Sequence, residues 1–152
     1  MRSILAIGLA VAVTLCAGAA LADKLTDAED AFSRLDDETA LRLCTQVLAE
    51  TPADARVQAA AYFDRGEVYA ADSKYDEAIA DFSAALNLQP DPAQIGVHNA
   101  RAKIYFHQHR MADALVEYEA ELALHPTYYR ALTGRALTLG LPLPPNPTAG
   151  RG

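Results

Sequence analysis

Self-similarity constrains this chain more than any other feature. Tyr62, Gly66, Tyr69, Ala78, Phe82, Ala85 and Pro90 are followed, each 36 residues on, by His98, Ala102, Tyr105, Ala114, Tyr118, Glu121 and Pro126. Bulky or amphipathic positions match bulky ones, small positions match small ones, and proline matches proline. Glu121 alone departs in kind. A third copy starts at Leu132, Ala136 and Leu139 and then stops, and Arg65, Arg101 and Arg135 keep the phase. Upstream, Ala40, Cys44, Val47 and Pro52 align with Ala78, Phe82, Ala85 and Pro90, while Ala28 and Ala31 hold the places of Gly66 and Tyr69. The unit is about 34 residues long, with small insertions at 55–58 and 93–94. A period of this length marks a solenoid, because one such unit cannot bury its apolar face alone and neighbours must stack.

Each unit reads as two helices. Tyr75, Ala78, Ile79, Phe82, Ala85 and Leu86 lie on one helical face. Asp76, Glu77 and Asp81 fall off that face and are expected in solvent, the first two in the opening turn where negative charge suits the helix dipole. Helices are predicted at 24–34, 37–50, 54–71, 74–88, 93–107, 110–124 and 128–139. Ser73, with Asp76 three residues on, is a predicted N-cap, and Thr26 to Glu29 a predicted capping box. Thr51-Pro52 and Asp91-Pro92 each set a cap residue before a proline, and Gln94 can answer Asp91. Gly66 and Ala78 are small where the two helices of a pair must approach, with Tyr62, Tyr69 and Phe82 filling the space around them. The repeated arginines are expected to pack their stems and leave their heads in water. No stretch alternates with period two long enough to argue a strand.

Tyr62, Arg65, Gly66, Tyr69, Ala78, Phe82, Ala85 and Pro90 occur at the offsets of the tetratricopeptide repeat, which the chain resembles. Arg65 alone departs from the strict pattern in this copy. The next copy has Ala102 for glycine and Glu121 for the last alanine, with Tyr105, Ala114, Tyr118 and Pro126 in place. The resemblance implies an all-α fold, a right-handed solenoid of about seven helices in antiparallel pairs around a concave groove. It divides the chain into a degenerate repeat at 23–54, repeats at 59–92 and 95–128, a terminal half-repeat helix at 129–139 and a proline-rich disordered tail at 140–152.

Residues 1–22 have the shape of a secretory signal peptide. Arg2 supplies a positive start, Ile4 to Leu15 an apolar run, and Ala20-Leu21-Ala22 a small-x-small pattern before Asp23. The run is short for a membrane span. An uncleaved anchor is the rival reading. Lipid attachment at Cys16 is disfavoured by Leu15, where a small residue is wanted. Cleavage after Ala22 would take Arg2 away and leave the chain one unit more negative than its −7. An acidic domain repels phosphate backbones, so nucleic acid is not an expected partner. Only Cys44 would remain, too few for an internal disulfide, and its apolar neighbours Leu41, Leu43, Val47 and Leu48 make it a small buried hydrophobe.

Catalytic signatures are missing. The chain holds no CxxC, HExxH, CxxCH or GxSxG and no phosphate-binding glycine loop. The carboxylates fall on faces that read as solvated, so no enzyme activity, cofactor or metal is expected. His107 and His109 lie too far apart in angle to share a helix face. Their turn supports an alternative reading, a small-molecule or metal carrier. The resemblance instead places a binding surface on the first helix of each unit: Phe63, Asp64, Glu67 and Ala70, then Asn99, Lys103, Phe106 and His107, then Arg130, Thr133 and Leu137. Family members that grip a terminal carboxylate use a lysine–asparagine clamp. Phe63 and Glu67 stand at its first positions here, leaving Asn99, Lys103 and Arg130 to hold an acidic group in another arrangement. The expected function is thus an exported, periplasmic interaction module or adaptor that binds a peptide or protein segment. It would be a monomer, or a weak oligomer through a last helix that either Leu141 and Leu143 or another chain must cover.

Overall fold

The computed structural model describes residues 19–50, 54–88 and 96–146. Among these there are seven helices and no strand. Helix α1 covers 19–33, and α2 (Asp37–Ala49), α3 (Ala55–Ala71), α4 (Tyr75–Leu88), α5 (Val97–His107), α6 (Met111–Leu124) and α7 (Tyr129–Leu139) follow. Consecutive helices fold back on one another as antiparallel pairs, and α3 also touches α5, and α5 touches α7. The first helices of successive pairs therefore stand side by side and make one continuous face.

Close approach within a pair rests on Gly66. A Cβ added there would lie 2.7 Å from Cε1 and 2.8 Å from Cδ1 of Phe82. The ring of Phe82 is fully buried and shares its cluster with Ala78 of its own pair and with Val97, Ala100 and Ile104 of the next. One side chain thus closes a pair and joins it to its neighbour. Tyr118 occupies the equivalent place one repeat on, with Ala102, Ala114 and Ala131. The first pair is built on Leu21, Leu25, Ala28, Cys44, Val47 and Ala61. Burial pushes the Cys44 thiol up to about 12, so it packs as a hydrophobe and stays protonated.

The polar residues depart from the sequence reading. Asp81 is not solvated: it is buried, and both its oxygens accept from Arg65, at 2.7 Å from Nε and 2.8 Å from Nη2. The Arg65 head is therefore paired rather than free, and it also lies over the Tyr62 ring at 5.5 Å. Sixteen residues separate that pair, and the same separation joins Arg101 to the buried Glu117 at 2.6 Å. His98 Nδ1 reaches the other Glu117 oxygen at 2.8 Å. Periodicity set Asp81 off the apolar face, but the buried stripe of α4 is Ala78, Asp81, Phe82 and Ala85, and that of α6 is Ala114, Glu117, Tyr118 and Glu121, so both acids lie on the packed side. What periodicity could not register is that the arginine sixteen residues earlier, on the partner helix, reaches over to cover them.

Glu121, the one residue out of kind, is buried and caps a helix that has no cap of its own. Its Oε1 accepts from the Gly96 N–H at 3.0 Å and its Oε2 from the Asn99 N–H at 3.2 Å. Negative charge at the start of α5 suits both the free N–H groups and the dipole. Gly96 itself has φ 104°, a backbone conformation that glycine adopts without strain.

Each first helix ends alike. Leu35, Ser73, His109 and Gly140 all have φ near +60°. The next residue then donates to a carbonyl five back: Asp36 to Ala31, Lys74 to Tyr69, Arg110 to Tyr105 and Leu141 to Ala136, at 2.8–3.0 Å. This is a Schellman closure. Ser73 therefore ends α3 and does not cap α4, and the Lys74 carbonyl takes the first bond of α4. The predicted capping box at Thr26 is also corrected. Helix α1 runs through it, and the Thr26 hydroxyl donates backward to the Ala22 carbonyl at 3.1 Å. Asp36 and Asp54 cap α2 and α3, accepting from Thr39 and Arg56. Thr51-Pro52, Pro90, Asp91-Pro92 and the 93–94 insertion lie outside the described residues. Helix α5, predicted from 93, is described from Val97.

Beyond Gly140, residues 141–146 have no regular structure. The segment turns back along α7 far enough for the Tyr129 hydroxyl to donate to the Pro144 carbonyl at 3.3 Å. Leu141 and Leu143 nevertheless stay 56% and 55% exposed, so they do not bury the last helix as the fold-back reading required.

Two stability outcomes are expected. Gly66→Ala should destabilise the chain by about 1–3 kcal/mol in urea unfolding, because the Phe82 ring must move, and adding Phe82→Leu should remove most of the clash term. Glu121→Ala should cost about 2–4 kcal/mol by leaving two N–H groups buried without acceptors, while Glu121→Gln, which keeps one acceptor, should cost less.

Candidate functional site

The continuous face of α3, α5 and α7 carries two adjoining cavities. The larger, about 450 Å³, is walled by Asn99, Lys103, Phe106 and His107 of α5 and by Tyr129, Arg130, Thr133, Gly134 and Leu137 of α7, with Tyr118 as its floor. The smaller, about 220 Å³, lies between α3 and α5 and is lined by Phe32, Glu67, Ala70, Ala71, Tyr75, Ala100, Lys103, Ile104 and His107. Lys103 and His107 belong to both walls, so the two cavities form one groove. They sit four residues apart on one helix, which places them on one face.

Seven of the residues expected in the groove thus gather around the larger cavity: Asn99, Lys103, Phe106, His107, Arg130, Thr133 and Leu137. Glu67 and Ala70 line the smaller one. Asp64 and Phe63 line neither. The Phe63 ring packs against Phe82, with centroids 5.7 Å apart, and serves the core. Asn99 is buried, its N–H held by Glu121 and its side chain facing the cavity. Tyr118 and Tyr129 were not expected as groove residues. The repeat pattern places Tyr118 at a packing position. Gly134, with no side chain, lets its ring lie close against α7 and become the floor.

Charge divides the groove. Lys103 and Arg130 are exposed at the larger cavity, and neither has an ion-pair partner among the described residues. Glu67 brings a carboxylate to the wall of the smaller cavity, and Asp64, earlier on α3, lies outside both linings. Asp64 is half-buried, its Oδ2 is buried without a hydrogen-bond partner, and Glu29 and Glu67 stand close by. Burial first, then the two carboxylates, pushes the Asp64 carboxyl up to about 7. With Lys103 and Arg130 at the larger cavity and Glu67 at the smaller, the groove can orient an extended chain of mixed charge. Its aromatic floor can take an apolar side chain.

The two histidines of the alternative reading do different jobs. His107 lines the groove, whereas His109 takes the left-handed position in the α5–α6 turn, with φ 59°. Among the described residues no three His, Cys, Asp or Glu side chains are grouped so as to hold a metal ion. Nor is any described helix long and apolar enough to cross a membrane.

Asp64 sets a pH dependence. Its folded pKa lies above the unfolded value of 3.8, so the folded state holds the proton more tightly. Its contribution is therefore most favourable at low pH, and stability is lost as pH rises from about 4 through about 7. Asp64→Asn should flatten that slope and raise stability at pH 8 by roughly 1–3 kcal/mol, read by chemical denaturation across pH.

Comparison with known proteins agrees with this architecture. Residues 59–92 match the family model of the tetratricopeptide repeat. No curated protein matches the chain. Among solved structures, the chain is similar to the second TPR domain of the human RPAP3 protein, determined by NMR in complex with the HSP70 peptide SGPTIEEVD. The TM-score is 0.67 at 22% identity, over 80% of this chain and 98% of that one. One segment thus matches the repeat in sequence, and the chain shares the fold of a tetratricopeptide repeat domain: an all-α solenoid of antiparallel helix pairs.

Proposed function

We propose that this protein is an exported, periplasmic adaptor that holds a peptide or protein segment in the groove of α3, α5 and α7 and does no chemistry of its own. The observation that carries this reading is the groove's continuity. Lys103 and His107 join an apolar cavity flanked by unpaired cations to a second cavity that Glu67 lines, so one surface runs across α3, α5 and α7. In the structurally similar human domain the bound molecule is a peptide. In this chain an anionic group of the segment would sit by Asn99, Lys103 and Arg130. An apolar side chain would rest on Tyr118 and Phe106, and a cationic group would pair with Glu67. Export is supported by Arg2 and by the apolar run from Ile4 to Leu15.

Crosslinking of the exported protein in extract of its own compartment, followed by identification of what is captured, tests the adaptor. The Lys103→Glu/Arg130→Glu variant runs beside it, with its fold checked by circular dichroism. Capture of a defined protein that falls at least about tenfold in the variant is expected, since two close charge reversals cost more than 1.4 kcal/mol. Undiminished capture by a folded variant would remove the groove from the proposal.

A further inference from the structure

Past its apolar run the leader holds two equivalent Ala-x-Ala processing patterns, and the fold distinguishes them. Ala20-Leu21-Ala22 is one, and Ala17-Gly18-Ala19, just upstream, is the other; both set alanine at the first and third places of a small-x-small site. Cleavage at the first would begin the mature chain at Asp23. Cleavage at the second would begin it at Ala20 and keep Leu21.

Leu21 belongs to the folded domain. It is 3% exposed and sits in the cluster that holds the first helix pair together, with Leu25, Ala28, Cys44, Val47 and Ala61. The contacts around it are fixed as well. Lys24 forms an ion pair with Glu50 just past α2, and the Ala22 carbonyl accepts from Thr26. The repeat points the same way. The 38-residue step that carries Ala28 onto Gly66 and Ala31 onto Tyr69 carries Leu21 onto Ala59, which is fully buried in α3. A chain starting at Asp23 would lack the opening turn that this step assigns to the first helix of a pair. It would also uncover the Cys44–Val47–Ala61 cluster.

We infer that the leader is removed after Ala19, so that the exported protein begins at Ala20 and retains Leu21 as a core residue of α1. This rests on the export reading, and the same experiment separates the two. The full chain is produced in an exporting bacterial host, recovered from the exported fraction, and its N-terminus read by intact mass and sequencing. A start at Ala20 is the expected result. A start at Asp23 overturns the inference and leaves export standing. An intact chain from Met1 in the exported fraction overturns the inference and leaves export standing, with the leader kept as an anchor, whereas a chain found only in the cytoplasm overturns export and the inference with it. A second measurement addresses the reason. Forms beginning at Ala20 and at Asp23 are compared by thermal melting, and the shorter should melt lower by roughly 10 °C. Equal midpoints would show that Leu21 contributes nothing to the fold and would overturn the argument.

Discussion

Everything in this molecule depends on a helix pair being unable to bury its own apolar face. Phe82 shows the constraint in one side chain: it lies against the bare backbone of Gly66 in its own pair, and Val97, Ala100 and Ile104 of the next pair complete its enclosure. Because each core cluster spans a boundary between pairs, no pair has a private core. The groove is a by-product of this stacking. First helices must align for the clusters to close, and their outer faces then make one surface.

Polar groups set the register that apolar contacts leave loose. The Arg65–Asp81 pair pins α3 to α4, and Arg101 with Glu117 pins α5 to α6 at the same separation. Glu121 ties the end of α6 to the start of α5, so that pair is fastened by its core and by two polar links. Such pairs contribute little net stability beside an apolar core of equal volume, but an arginine and a carboxylate that must meet leave few alternative packings. Asn99 faces the groove from a backbone that Glu121 holds, so the shape of the binding surface is set from the opposite side of the pair.

The fold was legible because independent positions repeat: glycine or alanine at the close approach, a ring facing it, small residues behind. The position of Glu121 was visible as an anomaly, but its role was not, since its bonds go to backbone atoms whose placement no side chain reports. The left-handed residues were illegible for the same reason. Leucine, serine and histidine occupy one backbone role, and only Gly140 signals it by type. Groove residues were legible where the first helix of a unit is regular, as at Asn99, Lys103 and Arg130. Phe63 was misplaced because a helix position fixes direction only to within a wide arc, and the pull of the Phe82 ring decided it.

The left-handed turns separate two properties that are entangled in most binding domains. Leu35, Ser73 and His109 hold a conformation that disfavours their side chains by about 1 kcal/mol each. All three are exposed and lie in connections between helices, away from the walls of the groove. The scaffold therefore keeps a reserve of stability in places no ligand touches. A lineage of such chains could drift toward firmer or softer solenoids through these turns while its recognition surface stayed the same. Equally, the surface could be rebuilt for a new partner with the resulting loss of stability made good at the turns.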